Sequence, residues 1–369
     1  IQIQARPNAG GNEDLTVKLR GHDSRHYTVL IDGIPQSMSG VMGGGYVNWN
    51  AIPLGMVERI EIIKGAKSAA YGQSEGGVIN IITKKSADAG ELQLTTGNND
   101  RRQYIFNYGV QTDKLGFRVY ANKSEQDAYL RNSDYDNEQT GINLNYKLSQ
   151  TDSLRFNYDH QQLKRGLVIA NNTSNFDSRY PISSGDTFAN SNAAPEDGSY
   201  TKIYRNNFNV TWNSDRDNGS DSLTYWKNYE KQREHNVNAG KVMFDRYNVT
   251  DKSSGVMYKG NAKVNAKHHL GYGVDYKRLR YGYGWYNSNA TVTSNGETKP
   301  AGGALYPSQK LDVWGVYIED NWQMDDRWLT NIGLRYDKMK GDRDAAQATN
   351  IVSMNESALS PKLNVHFKN

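Results

Sequence analysis

Cysteine is absent from all 369 residues, so structural disulfides and thiolate metal sites are excluded within this stretch. Long apolar runs are absent too: nothing approaches the roughly 18 consecutive apolar residues that a membrane helix needs. Hydrophobic residues make up only 36% of the chain and the mean hydropathy is −0.82, too polar for a conventional buried core of this size. Proline is scarce, with 8 residues against 35 glycines. An excess of one charge is also lacking. The net charge is +4 with both signs interspersed, which gives no basis for a nucleic-acid partner.

A polar average does not exclude a membrane barrel, in which only alternate residues face lipid. The 25 Tyr and 7 Trp suit strands with aromatic girdles. From about Glu91 the apolar residues recur with period two over long runs, as in Tyr104, Phe106, Tyr108 and Val110, or Ile142, Leu144, Tyr146 and Leu148. The same spacing recurs at Leu154, Phe156 and Tyr158, at Phe208, Val210 and Trp212, at Trp314, Val316 and Ile318, and at Ile332, Leu334 and Tyr336. These runs approach the roughly 10 residues of a membrane strand, whereas strands of soluble sandwiches usually have about 5 or 6.

The connections separate the two readings. About twelve strands are predicted, joined by short links near 112–114, 149–152, 266–267 and 324–326 and by long ones at about 125–138, 164–200, 232–255 and 282–310. Sorting of loop length by parity is expected of an outer-membrane barrel, with short periplasmic turns and long outer loops. Residues 1–85 differ: short apolar runs such as Tyr27–Ile31 and Val78–Ile82 lie between Gly clusters, and a helical turn after Pro53 leads into a strand. A small α+β domain is predicted there, followed by barrel strands over 86–369. Asp32-Gly33 reads as a turn, while Gly43-Gly44-Gly45 and Gly65-Ala66-Lys67-Ser68 both lack the spacing of a phosphate loop.

Several blocks carry a resemblance: Leu19-Arg20-Gly21, Val29 to Pro35, Val57 to Gly65, Ala70-Tyr71-Gly72 and Gly76 to Thr83, then Asp325 to Leu329, Gly333 to Asp337 and Leu359 to Leu363. In this order and spacing they resemble TonB-dependent outer-membrane receptors, siderophore receptors in particular. The resemblance spans essentially the whole chain. It implies an antiparallel membrane barrel with a plug inside it, about twelve of the family's twenty-two strands being present. It also implies a fragment, since the first part of the plug with its TonB-engaging segment and the later barrel strands fall outside the chain.

The resemblance further implies candidate residues. In the family, plug arginines pair with barrel glutamates; the matching plug positions are Arg20 and Lys64, with Glu58 and Arg59 nearby, and alternation turns Glu319 towards the lumen as the partner. Lys64 stands where the family usually has Arg, and Ala66 where it has Pro. Arg25, His26, Tyr46 and Trp49 fall in plug loops that rise towards the outer vestibule, and Tyr283 and Trp285 in an aromatic loop after the ninth strand. Cations and rings together suit an anionic ferric chelate.

The function implied is energy-coupled import across the bacterial outer membrane. A ferric siderophore is the expected cargo, with cobalamin or haem as alternatives, and a passive channel is the rival reading. Expected partners are TonB in the periplasm and the outer-membrane lipid. No catalytic residues, resident metal or cofactor are expected; the seven His are scattered, and His268-His269 falls in a short periplasmic connection.

Overall fold

The predicted twelve wall strands are realised as one antiparallel sheet. The computed structural model describes residues 2–5, 15–22, 26–36, 47, 49, 52–64, 68–72, 76–85, 88–174, 176–183, 196–238, 241–281, 284–287, 292–294, 297–299, 303–306, 309–343 and 352–368.

The first domain contains β1 (Gln2–Ala5), β2 (Leu15–Lys18), β3 (Tyr27–Ile31), β4 (Ile34–Pro35), β5 (Val57–Lys64) and β6 (Gly77–Thr83). β1 pairs with β2, and the other four form a sheet in the order β4-β3-β6-β5, with β3 and β6 parallel. The two apolar runs read from the sequence are this parallel pair. Leu30 and Val78 are buried there, and Val29, Ile79 and Ile81 share a core with Val17, Leu19 and Ile52. Helical structure among the described residues of this domain is the 3-10 turns Leu54–Met56 and Ala69–Tyr71 and the single 3-10 residue Trp49. Asp32 and Gly33 take φ of 49° and 80°, which closes the tight β3–β4 turn. The Asp32 carboxylate then accepts from the Thr83 amide and hydroxyl, tying that turn to β6.

The wall begins with β7 (Ala89–Thr96), β8 (Arg102–Gln111), β9 (Leu115–Gln126), β10 (Tyr135–Lys147), β11 (Asp152–Gly166), β12 (Tyr200–Arg216) and β13 (Gly219–Asn238). It continues with β14 (Lys241–Asp251), β15 (Ser254–Lys263) and β16 (His268–Tyr281). After the short loop strands β17 (Gly284–Asn287), β18 (Val292–Ser294), β19 (Glu297–Lys299) and β20 (Gly303–Tyr306) come β21 (Gln309–Gln323), β22 (Trp328–Arg343) and β23 (Val352–Phe367). β14 and β15 both pair with β13 and make one descending pass, so the described residues trace twelve passes. β7 and β23 are the first and last of the twelve passes, and the loop strands β17 and β20 extend the sheet from β14.

Short turns are shaped by side chains that accept from the next amides. Ser149 Oγ takes the Thr151 and Asp152 amides, Asn265 Oδ1 those of Lys267 and His268, and Asp325 Oδ1 those of Arg327 and Trp328. His268 thus opens β16 rather than lying in the connection, and its ring stacks on Trp322.

The stretch 232–255, expected as a long loop, is a continuation of the sheet. β13 runs for 20 residues, about twice what a tilted membrane crossing uses, and β14 returns beside it. Alternation fades there because Lys231, Arg233 and His235 no longer face lipid, yet strand pairing needs only backbone partners. Loss of the apolar pattern marked the end of the membrane, not of the strand.

The wall is inside-out. Leu94, Tyr104, Phe106, Tyr108, Trp314, Val316, Ile318 and Leu334 are exposed, whereas Asn107, Arg118, Gln161, Arg205, Glu230, Asp275, Arg335 and Asp337 are buried. Placing Arg on the exposed face, as in Val316→Arg, should lower the stability of the full-length protein in lipid vesicles by about 2–4 kcal/mol. Unfolding in guanidinium checks this, and an unchanged midpoint would contradict the lipid assignment.

Candidate functional site

The first domain touches the inner face of the wall through the turn 68–72. Ser68 caps this 3-10 turn, its Oγ accepting from the Ala70 amide, and Gly72 ends it at φ 42°. Ala69 is completely buried. On β21, Glu319 accepts from Ser68 Oγ at 3.1 and 2.9 Å and from the Ala69 amide at 2.8 Å. On β23, Lys362 Nζ donates to the Ser68 carbonyl at 2.6 Å. On β22, Arg335 Nη1 donates a longer bond of 3.4 Å to the Ala69 carbonyl.

Arg335 is itself fixed by carboxylates. Nη2 lies 2.7 Å from Asp275 and 2.8 Å from Asp337, and Nε donates to both Asp337 oxygens at 2.9 Å. Gly315 stands in register between Asp275 and Asp337, and a Cβ there would collide with the Arg335 guanidinium. The missing side chain is what admits the cation between the two acids. A buried ion cluster of this kind is weak evidence of net stability, because desolvation offsets much of its attraction; what it supplies is position. Tyr71 carries its phenol above the ordinary pKa through burial, with Glu61 and Glu319 adding to the shift, so the turn presents no charge of its own.

Two further wall arginines reach the first domain. Arg205 on β12 donates to Gln36 Oε1 at 2.6 Å in a buried contact, and Arg118 on β9 donates to the Lys85 carbonyl at 3.0 Å. Beside the turn, a polar cavity of about 430 Å³ separates Ser68 and Tyr71 from Ser222, Lys259, Asn261 and Asn321 on the wall. It lies towards the end that carries the short turns.

The residues expected from the resemblance fall as follows. Glu319 faces the turn, but its partners are Ser68 and Ala69, not Arg20 or Lys64. Arg20 is exposed at φ 55° in a turn closed by hydrogen bonds between Leu19 and His22, without an ion-pair partner among the described residues. Arg59 pairs with Glu58 and Glu61 on its own strand, at 3.2 and 2.8 Å, on an exposed face. Lys64 ends β5 in register with Gly77, its side chain lying outside the described residues. His26 accepts from the Gly76 amide through its carbonyl, and its ring lies 5.7 Å from that of His22. Trp49 packs against the core of the first domain. Trp285 pairs through its backbone with Tyr247 and Ala304, and its side chain, like the whole of Arg25, Tyr46 and Tyr283, lies outside the described residues. Ser68, Arg205, Arg335 and Lys362 were not anticipated, although alternation from Leu334 and Tyr336 turns Arg335 inward.

The outer connections are partly folded. Asn171, fully buried, donates through Nδ2 to the Asp177, Tyr180 and Pro181 carbonyls and accepts from the Asp177 amide. The Asp177 carboxylate binds Arg179 at 2.7 Å, and that hydrogen bond holds its pKa down to about 2.

Residues 1–79 match the TonB-dependent receptor plug domain, and residues 86–368 the β-barrel of TonB-dependent receptors. The ferric enterobactin receptor of Pseudomonas aeruginosa is 28% identical over 89% of this chain and 48% of its own length. The ferrienterobactin receptor of Escherichia coli is 24% identical over 89% and 49%. The fold resembles the crystal structure of the siderophore receptor PiuA from Acinetobacter baumannii, with a TM-score of 0.71 at 17% identity, covering 100% of this chain and 58% of that one. The chain spans about half the length of the curated relatives it matches.

Glu319→Ala removes both acceptors of the turn. In the full-length protein, amide exchange at Ser68 to Gly72 should accelerate about tenfold or more, while exchange in the β3–β6 core stays unchanged; equal protection in the variant would contradict the contact. The Asp177 carboxyl has a lower pKa in the folded loop than its ordinary 3.8, so its contribution is complete above about pH 4 and is lost as pH falls through about 2. Pepsin cleavage within 171–183 should therefore rise between pH 4 and 2, and Asp177→Asn should show the fast rate at both.

Proposed function

Because the chain belongs to the TonB-dependent receptor family, we propose that the whole protein is an outer-membrane importer of a ferric siderophore, its plug moved by energy that TonB delivers from the periplasm. The observation that carries this reading is how the plug is held. Its turn 68–72 is gripped by Glu319, Arg335 and Lys362 through hydrogen bonds to a hydroxyl and to backbone groups, while its main apolar core lies within the plug and only the small cluster of Ile34 with Trp226 and Met257 reaches the wall.

Contacts of this kind part and re-form without unfolding the plug, since water replaces them at a net cost of about 1.5–3 kcal/mol each for charged groups. A mechanical pull of modest size thus has a two-state element to act on. Cargo binding on the outer side acts only to the extent that its affinity differs between the held and released plug. The relatives named as ferric enterobactin receptors support a ferric siderophore as the cargo class.

The test is uptake of radioactive ferric enterobactin by cells whose sole such receptor is the full-length protein, beside ferric citrate and cobalamin. Uptake of the siderophore should exceed the others and stop on collapse of the proton gradient, with surface binding retained. Gradient-independent entry of all three would make it a passive channel.

A further inference from the structure

On the outward face of the wall, register lines up one residue from each of six neighbouring strands: Arg102, Glu125, Asp136, Lys164, Lys202 and Arg233. The two halves of this row differ. On β8 to β10 one cation faces two acids, Glu125 being in register with Asp136, and the cations pair: Arg102 lies 3.3 Å from Asp100 and 3.8 Å from Glu125, and Lys123 in the adjacent row lies 3.0 Å from Glu138. On β11 to β13 three cations stand directly opposite one another, and Lys231 follows opposite Tyr204. Asp136 faces Lys164 in register, but Lys164, Lys202 and Lys231 are exposed and enter no ion pair among the described residues.

Like charges in direct register across strands repel, so this half of the row is arranged for something other than its own stability. Lys164 Nζ and the Arg233 guanidinium both lie over the Tyr200 ring, at 5.5 and 5.7 Å. The ring draws both cations over its face.

The height of the patch identifies its partner. Tyr158, Tyr204 and Tyr229 form an aromatic rim, with Tyr204 packed edge-on against Tyr229 and His160. Below the rim the face is Leu154, Phe156, Phe208, Val210 and Tyr225, with the single exposed cation Lys227 opposite Phe208. Lys202 is two residues beyond Tyr204, roughly 7 Å at about 3.3 Å per residue. Aromatic girdles mark the interface of a membrane barrel, so the cations stand at the level of the outer lipid headgroups.

We propose that Lys164, Lys202 and Lys231 form a binding site for a phosphate-bearing lipid of the outer leaflet, its phosphates held by the ammonium groups and its acyl chains lying on the apolar face beneath. The site rests on the membrane assignment, and it lies on the opposite face from the lumen, so its failure leaves the import reading intact.

The full-length protein, purified in an uncharged detergent, is titrated with bisphosphorylated lipid A and bound lipid is counted by native mass spectrometry. Lys164→Gln/Lys202→Gln/Lys231→Gln should weaken binding at least about tenfold, and the corresponding Lys→Arg triple should restore it. Dephosphorylated lipid should bind the parent protein as weakly as the Gln triple binds lipid A. Undiminished binding by the Gln triple, an equal loss in Arg102→Gln/Lys123→Gln, or equal binding of the dephosphorylated lipid would each overturn the site. The heat-induced shift in gel mobility, unchanged in every variant, shows that the barrel is folded throughout.

Discussion

A strand that crosses lipid has two faces and must give them opposite chemistry, because the bilayer offers its backbone no partner and its side chains no water. In this chain that constraint puts Val316, Ile318 and Leu334 outside and Asp275, Glu319 and Arg335 inside. The inward residues are then close to charged neighbours and far from bulk solvent, where each must find a hydrogen-bonding partner. Part of that demand is met across the wall, as in Arg335 between Asp275 and Asp337, and part by the plug, whose turn 68–72 offers an amide, a hydroxyl and two carbonyls. The same polarity that lets the wall stand in a membrane also makes it a receptacle for the plug.

How much of this was legible in the sequence depends on where the signal resides. Period two and loop parity are properties of side-chain order, so the passes and their direction could be read directly. The stretch 232–255 could not, because above the membrane β13 and β14 keep their pairing while losing the lipid-imposed pattern. Glu319 was reachable from alternation. Its partners were not, because a backbone amide and a serine at position 68 carry no charge that would announce them, unlike Arg20 and Lys64 or the neighbouring Glu58 and Arg59. Those residues are charged and close to family motifs, yet Arg59 satisfies its own strand neighbours. Gly315 is a further case, since its importance is the volume it leaves to Arg335, which a sequence shows only once strand register is known.

The contacts between plug and wall differ in kind from those within each. The plug core is apolar and the wall is a continuous hydrogen-bonded sheet, both costly to break. Their junction combines a few charge-assisted hydrogen bonds beside a polar cavity of about 430 Å³, where water can replace what is lost, with one small apolar cluster in which Ile34 of the plug packs on Trp226 and Met257 of the wall. Under the proposed import mechanism, the polar contacts at Ser68 to Gly72 are where the plug would part from the wall. The outward cation row on β11 to β13 belongs to the fixed part, where an anchor in the headgroup layer would hold the wall while the plug shifts.

The phase of the wall is the claim on which the rest stands, and it is directly measurable by labelling at introduced cysteines, these 369 residues containing none of their own. Spin labels attached to single cysteines from 314 to 319 in the full-length protein in lipid vesicles would report collision rates with membrane-dissolved oxygen. The account predicts maxima at 314, 316 and 318 and minima at 315, 317 and 319. A flat profile, or the opposite phase, would contradict it and would remove Glu319 from the lumen.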